Sequence, residues 1–164
     1  NSVEKDYLVK ELNLKDIIQK AVRSNAKMLI SNKIKIDMKN LDQKIFSDEK
    51  WLLFILNQII SNAVKYKKED AQISFEARQS TDQILLEIRD NGIGIAAKDL
   101  PRVTDKGYTG TTGRNYEKST GMGLYLCKKL CDKLQLSFKI ESKEEEYTIV
   151  TIGFPRSSMI FLNE

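Results

Sequence analysis

Residues 90–95 read DNGIGI and directly follow the alternating run QILLEIR, which is typical of a β-strand. Asp90 would therefore end a strand, and Gly92 and Gly94 would follow it, one residue apart. A carboxylate accepts hydrogen bonds, and glycines let the backbone approach a bound molecule closely because they carry no Cβ. Glycine pairs also occur at ordinary turns, so this stretch alone leaves a binding site and a plain turn both open.

A second polar set lies on a predicted helix that begins with Ser47 as N-cap and runs to about Lys67. On a helical wheel, Gln58, Asn62 and Lys65 fall on one side at i, i+4 and i+7. The opposite side is apolar and is predicted to be core; it consists of Leu52, Leu56, Ile59, Ile60 and Ala63. Such a polar stripe is usually the solvated side of an amphipathic helix, and only its combination with the glycine motifs favours a site.

The rest of the chain predicts the elements that must position these residues. Helical spacing of apolar residues predicts one helix from Leu12 to Ile30 and another from Leu124 to Leu134. Alternation predicts strands in IKIDM at 34–38 and in the pair QISFEAR and QILLEIRD. The opening segment DYLVKEL could be a further short strand, and LSFKIE followed by YTIVTIGF is interpreted as a closing hairpin. Between Ala96 and Thr120 no apolar period exists, which indicates a long functional or mobile loop. This mixture predicts an α+β sandwich with one sheet covered on one face by helices.

Composition excludes several function classes. The 164-residue chain has a net charge of +4 that is not gathered in a basic block, so nucleic-acid binding is not expected. It contains no histidine, which excludes serine-triad and imidazole chemistry within the chain. Cys127 and Cys131 lie four apart in a helical pattern and are interpreted as free thiols. The charge run at 143–146 is interpreted as a solvated turn. No apolar run is long enough to span a bilayer, so a soluble fragment is expected.

Three motifs in this order resemble the N, G1 and G2 boxes of the ATP-binding domain shared by sensor histidine kinases, gyrase, Hsp90-type chaperones and MutL-type repair proteins. They are QIISNAVKY at 58–66, DNGIGI at 90–95 and STGMGLYLCKKL at 119–130. The resemblance covers roughly Asp6 to Arg156, nearly the whole chain. It implies a two-layer α/β sandwich of the Bergerat type, with a mixed, mostly antiparallel sheet. DEKWLLFILNQIISNAVKY and GYTGTTGR further resemble bacterial sensor kinases that respond to antimicrobial peptides such as bacitracin.

The resemblance also implies a role for each motif residue. Asp90 would accept a hydrogen bond from the amino group of adenine and repel the carbonyl of guanine, with Thr148 assisting through a water; an ordinary strand threonine is the alternative. Asn62, with Gln58 one turn earlier, would ligate Mg²⁺ through amide oxygens. The remaining nucleotide contacts are assigned to Lys65, Tyr66, Gly92, Gly94, Ile95, Lys106, Tyr108, Gly121, Met122, Gly123 and Leu124, with Arg114 as a further residue of the lid. The free N–H groups at the start of the helix from Leu124 would bind phosphate, although glycines there can be purely structural.

Gln58 distinguishes the branches of this superfamily. Hydrolytic members usually carry a glutamate at this place as general base, and an amide cannot accept the proton. A neutral imidazole needs no such base, so Gln58 favours a histidine as phosphoacceptor. The expected function is that of a sensor kinase domain, which donates the γ-phosphate of Mg-ATP to a histidine on a separate domain. The alternatives are a nucleotide-gated module of the chaperone or DNA-repair type and a degenerate interaction domain. Two departures from the family pattern are Thr104, where phenylalanine is common, and Tyr147, where the last box usually has glycine.

The kinase interpretation also implies a domain organisation and partners. Residues 1–11 would contain the end of a linker from a dimerisation domain and the first strand, residues 12–156 the catalytic domain, and residues 157–164 a tail. Partners would be ATP or ADP, the dimerisation and histidine-phosphotransfer domain, and a response regulator. The parent protein is expected to be a membrane-anchored homodimer, with this domain on its cytoplasmic side.

Overall fold

The computed structural model of the chain describes residues 7–105 and 123–156. Its helices are α1 (Leu14–Ser24), α2 (Ala26–Ser31), α3 (Glu49–Lys65) and α4 (Gly123–Lys133), with a short 3-10 turn at Leu100–Arg102. Its strands are β1 (Val9–Asn13), β2 (Lys35–Lys39), β3 (Lys44–Asp48), β4 (Gln72–Gln79), β5 (Gln83–Asp90), β6 (Ser137–Lys143) and β7 (Tyr147–Pro155).

Five strands form one mixed sheet in the order β2-β4-β5-β7-β6. The β2–β4 pair is parallel, and the β4–β5, β5–β7 and β6–β7 pairs are antiparallel. On β4 and β5 the buried residues alternate with more exposed ones, so one face of the sheet lies on the core. The predicted α+β class and mostly antiparallel sheet are confirmed.

A second, two-stranded sheet is a feature that the sequence analysis did not predict. β1 and β3 pair antiparallel, with Leu12 opposite Ile45. Residues 44–48 carry no clear apolar alternation because Ser47 and Asp48 are polar, yet both are buried, at 1% and 3% exposure. The backbone N–H of Leu8 donates to Asp48 Oδ2 at 2.6 Å, which satisfies this buried carboxylate.

The start of α3 corrects the predicted cap. Asp48, rather than Ser47, is the N-cap, because its backbone is extended (φ −91°, ψ 119°) and its Oδ1 accepts from the N–H of Trp51 at 3.0 Å. Ser47 belongs to β3. The helix ends at Lys65, two residues before the predicted end at Lys67.

The predicted helix from Leu12 to Ile30 is two helices that meet at Asn25. The side chain of Asn25 donates to the carbonyl of Ala21 at 2.8 Å and to Asn57 Oδ1 of α3 at 2.9 Å. Leu12 belongs to β1, and Asn13 caps α1 by accepting from the N–H of Asp16 at 3.2 Å. The break therefore comes from side-chain hydrogen bonds that compete with the helical backbone.

The core lies between the helices and the five-stranded sheet. The predicted apolar side of α3 is buried, and Ile55 adds to it. These residues pack against the inward residues of the sheet, such as Phe75, Leu86, Ile152 and Phe154. Cys127 and Cys131 are free and buried in the same cluster, and burial raises the pKa of both thiols. Among the described helices, none combines the length and apolarity needed to cross a membrane.

Candidate functional site

A row of polar side chains crosses three strands at one end of the large sheet. Asp90, the last residue of β5, lies opposite Thr148 of β7, and Thr148 lies opposite Ser142 of β6. Residues directly opposite in antiparallel strands point to the same face. Asp90 continues the inward series of Ile84, Leu86 and Ile88, so this row faces the helices rather than solvent.

A cleft that opens to solvent lies between this row and helices α3 and α4. Its lining consists of Ile59, Asn62 and Ala63 of α3, Leu124 of α4, and Asp90, Ile140, Thr148 and Val150 of the sheet. Four residues predicted from separate motifs therefore converge on one cleft: Asn62, Asp90, Leu124 and Thr148. The other described lining residues are apolar, so the cleft has a few polar groups at defined places, as is usual for small-molecule sites.

Asp90 combines burial with a fixed orientation. The backbone N–H of Gly92 donates to its Oδ1 at 2.9 Å. Burial raises the pKa of Asp90 to about 6, against the opposing effects of the Gly92 hydrogen bond and the Arg89 guanidinium. Arg89 itself lies over the ring of Tyr147, 4.5 Å from its centroid. At neutral pH Asp90 is thus mainly ionised and acts as a hydrogen-bond acceptor in the cleft.

The close packing around position 92 explains why the motif carries a glycine there. A Cβ at this position would lie 2.6 Å from the carbonyl oxygen of Tyr66, which follows α3. The same carbonyl accepts from the N–H of Ile93 at 3.0 Å. The loop that follows Asp90 is therefore packed directly on the end of the helix that carries Asn62.

Gly94 allows a different close contact, with the backbone of Lys143. Its backbone has φ +70°, and a Cβ there would overlap the backbone carbonyl of Lys143. The N–H of Glu145 donates to the carbonyl of Ile93 at 2.6 Å. The predicted solvated turn at 143–146 is exposed, as expected from its charges, but its backbone supports the loop at 92–95.

Ser142 is a site residue that the sequence analysis missed. Its Oγ accepts from the N–H of Ile95 at 2.8 Å, donates to the carbonyl of Tyr147 at 2.7 Å and lies 3.0 Å from Thr148 Oγ1. It thereby joins the loop after Asp90 to the strand that carries Thr148. The signal for it was the position of Ser142 opposite Thr148 in the predicted hairpin, which becomes readable only when the register is known.

The remaining predicted residues divide into those beside the cleft and those elsewhere. Gln58 lies beside the start of α4, since a Cβ on Gly123 would be 3.2 Å from Gln58 Oε1. Lys65 and Tyr66 lie at the end of α3, with Lys65 Nζ 5.9 Å from the Tyr66 ring centroid, and do not line the cleft. Ile95 contacts the site through its backbone. Lys106, Tyr108, Arg114, Gly121 and Met122 lie outside the described residues.

The donor set of the cleft fits magnesium better than a transition metal. In the described ranges, no three His, Cys, Asp or Glu side chains gather as a metal site. The cleft instead offers the amide of Asn62, a hard oxygen donor on α3. Mg²⁺ accepts one or two protein oxygens and takes its other ligands from water and substrate phosphates.

Comparison with known proteins agrees with this fold. Residues 47–158 match the family model described as histidine kinase-, DNA gyrase B- and HSP90-like ATPase. The sensor protein BceS of Bacillus subtilis (strain 168) is 38% identical over 153 residues, which are 93% of this chain and 46% of that protein. The catalytic domain of the histidine kinase ThkA superposes with a TM-score of 0.77 at 18% identity, covering 91% of this chain and 98% of that chain. A complex of ThkA with the response regulator protein TrrA superposes with a TM-score of 0.75 at 14% identity, over 92% of this chain and 42% of that chain.

The chain belongs to the histidine kinase-, DNA gyrase B- and HSP90-like ATPase family. Within that family it is a catalytic ATP-binding domain of the sensor histidine kinase type. It spans a little under half the length of the relative BceS, at 46%.

Proposed function

We propose that this domain binds Mg-ATP in the described cleft and donates the γ-phosphate to a histidine on another domain of its parent protein. The observation that carries the proposal is the convergence of Asp90, Asn62 and Leu124, which come from three separate motifs, on one cleft. The purine would lie among the apolar walls, with its amino group toward Asp90. The phosphates would extend toward Asn62 and the start of α4.

Each residue has a defined physical task in this proposal. The ionised carboxylate of Asp90 accepts a hydrogen bond from the adenine amino group, and a 6-carbonyl in the same place is repelled. The N-terminus of α4 presents free N–H groups and the positive end of its dipole to the phosphates. Asn62, with Gln58 one turn earlier, would hold Mg²⁺, which supplies neutralisation of phosphate charge when bound.

Gln58 favours phosphotransfer to histidine over hydrolysis. Its amide lies beside the start of α4, where the phosphates would be bound, but an amide cannot take a proton from an attacking water. Imidazole attacks through a lone pair and requires no such base. A chaperone-type or repair-type conformational module has no comparable observation in its favour.

The proposal extends to the parent protein. The histidine would belong to a dimerisation and phosphotransfer domain, and a response regulator would receive the phosphate. We place the parent at the cell membrane as a homodimer, with this domain in the cytoplasm. The supporting fact is the similarity to sensor proteins that are about twice as long.

A phosphotransfer assay tests the function. The chain is mixed with Mg-[γ-32P]ATP, with and without the helical histidine domain of the parent, and acid-labile phosphoprotein and free phosphate are followed. We expect labelled helical domain and little free phosphate. Rapid phosphate release by the chain alone, without labelling of the helical domain, would refute the kinase assignment.

A further inference from the structure

The hydroxyl of Ser142 is surrounded by three partners whose proton requirements differ. The N–H of Ile95, 2.8 Å away, can only donate, and the carbonyl of Tyr147, 2.7 Å away, can only accept. The hydroxyl of Thr148, 3.0 Å away, can do either. The direction of this last bond is not given by its geometry, but it follows from the other two.

A serine hydroxyl has one proton and two lone pairs. The single proton of Ser142 is used on the carbonyl of Tyr147, and one lone pair receives the N–H of Ile95. The second lone pair is what remains for Thr148. Thr148 is therefore the donor, and its own proton is directed toward Ser142 and away from the cleft.

This direction determines what Thr148 offers to a ligand. Thr148 lines the cleft beside Asp90, and the two residues are directly opposite in the β5–β7 ladder. With its proton committed, Thr148 presents only lone pairs, as does the ionised carboxylate of Asp90. A water shared by the two would give both of its protons to them and would also present only lone pairs. By either route Asp90 and Thr148 accept hydrogen bonds at this end of the cleft and donate none.

We propose that Ser142 is a positioning residue for base selectivity, which holds the Thr148 hydroxyl as an acceptor so that the cleft favours a 6-amino purine over a 6-oxo purine. The inference rests on the proposed nucleotide site and goes beyond it, since Ser142 would not itself touch the base. When Ser142 is replaced by alanine, the Thr148 proton is free to turn into the cleft and to donate to a 6-carbonyl.

The test compares ATP and ITP, whose bases differ at the 6-position, amino against carbonyl, and at N1, an acceptor in adenine and an N–H donor in hypoxanthine. The readout is therefore the change in preference between variants. Dissociation constants for both Mg-nucleotides are measured by titration calorimetry on the wild-type chain and on Ser142→Ala, Ser142→Thr and Ser137→Ala. Ser142→Thr keeps the hydroxyl. Ser137 lies at the other end of the same strand, where its Oγ accepts from Gln83 Nε2 at 3.2 Å, and provides the matched control.

We expect wild type to prefer ATP over ITP by roughly 100-fold or more. Ser142→Ala should reduce this ratio by about tenfold, the size of one hydrogen bond of about 1.4 kcal/mol. Ser142→Thr and Ser137→Ala should keep the wild-type ratio within about threefold. Loss of the Ile95 contact alone would weaken both nucleotides equally, so the ratio separates selectivity from a structural effect.

A double-mutant cycle tests whether Ser142 acts through Thr148. In a Thr148→Val background, Ser142→Ala should change the ATP to ITP ratio no further. An unchanged ratio in Ser142→Ala, with ATP still preferred by wild type, overturns the inference alone. A wild-type chain that binds neither nucleotide overturns the proposed function and this inference together.

Discussion

Gly92 lies so close to Tyr66 that a Cβ on residue 92 would be 2.6 Å from the Tyr66 carbonyl oxygen. That oxygen also accepts the N–H of Ile93 at 3.0 Å. The contact joins the loop after β5 to the C-terminal end of α3. It thereby sets the distance between Asp90 and Asn62, the two polar groups that come to the cleft from different layers of the fold.

Replacement of Gly92 by alanine should damage both stability and nucleotide binding. The methyl group would meet backbone, which cannot move aside without shifting the loop or the end of α3. We expect a loss of about 1–3 kcal/mol in the free energy of unfolding and a fall of at least roughly tenfold in ATP affinity, because Asp90 moves with the loop. Urea unfolding and calorimetry measure the two effects.

Gly123→Ala is the matched control for stability. Among the described residues, a Cβ there would meet the flexible end of Gln58, at 3.2 Å. Alanine also favours the helix that begins at this residue. We expect unfolding free energy to stay within about 0.5 kcal/mol of wild type or to rise. Equal destabilisation by both substitutions would contradict the contact assigned to Gly92.

Asp90→Asn should change the stability of the chain and its affinity for ATP in opposite directions. Burial raises the pKa of Asp90 to about 6, so the folded state holds its proton more tightly than the unfolded chain does. The stability that Asp90 contributes is therefore fully present below about pH 4 and is lost as pH rises through about 6. Asparagine does not titrate, so the stability of the variant relative to wild type should rise by about 1.4 kcal/mol as the pH is raised from 5 to 8.

The same variant should bind ATP more weakly at pH 7.5, because a neutral amide is a poorer acceptor for the adenine amino group. Thermal unfolding of both proteins across this pH range gives the stability difference, in which the contributions of other groups cancel. A difference that does not change with pH would show that Asp90 does not titrate where its burial places it.

The sequence predicted the parts of the fold whose pattern is local. Strands β4 and β5 were found because their apolar residues alternate, and the core side of α3 was found because its residues recur at helical spacing. Asn62, Asp90 and Leu124 could be predicted to share one site because each lies in a motif that resembles a box of the same ATP-binding family. These predictions depended on residues near one another in the chain.

The features that were missed depend on contacts between distant residues. Strand β3 contains the buried polar residues Ser47 and Asp48, and Asp48 is satisfied by the N–H of Leu8, 40 positions away. The break at Asn25 is fixed partly by Asn57 of another helix. Ser142 matters through the register that places it opposite Thr148 and near Ile95. None of these pairings has a signature in local spacing.

Asn62→Ala should reveal the metal dependence of binding. The Asn62 amide lines the cleft and is the hard oxygen donor that α3 offers there. We expect affinity for Mg-ATP to fall roughly tenfold or more, while affinity for ATP in EDTA changes by less than about threefold. Since Asn62 is half-buried at the mouth of the cleft, unfolding free energy should change by less than about 1 kcal/mol.

Ser61→Ala provides the control for this experiment. Ser61 is the preceding residue of α3 but is exposed and does not line the cleft. Its substitution should leave both affinities at the wild-type level. A loss in Asn62→Ala that is equally large with and without Mg²⁺ would assign Asn62 to the nucleotide rather than to the metal.

Gln58→Glu tests why this domain would transfer phosphate rather than hydrolyse ATP. Gln58 lies beside Gly123 at the start of α4, next to the proposed phosphate site. A carboxylate in this position can take a proton from water, which an amide cannot do. We expect phosphate release by the isolated chain to rise about tenfold, below the roughly 100-fold or more of an optimised general base, because the surroundings are not adapted to it.

Gln58→Ala is the control for Gln58→Glu, because it removes the amide without supplying a base. It should leave phosphate release at the wild-type level, so that an increase in Gln58→Glu alone is due to the carboxylate and not to a more open cleft. Phosphate release is measured with a coupled colorimetric assay at saturating Mg-ATP, after calorimetry has shown that both variants bind. If Gln58→Glu binds ATP and still releases no additional phosphate, residue 58 does not face the γ-phosphate, and the choice of histidine as acceptor must have another physical origin.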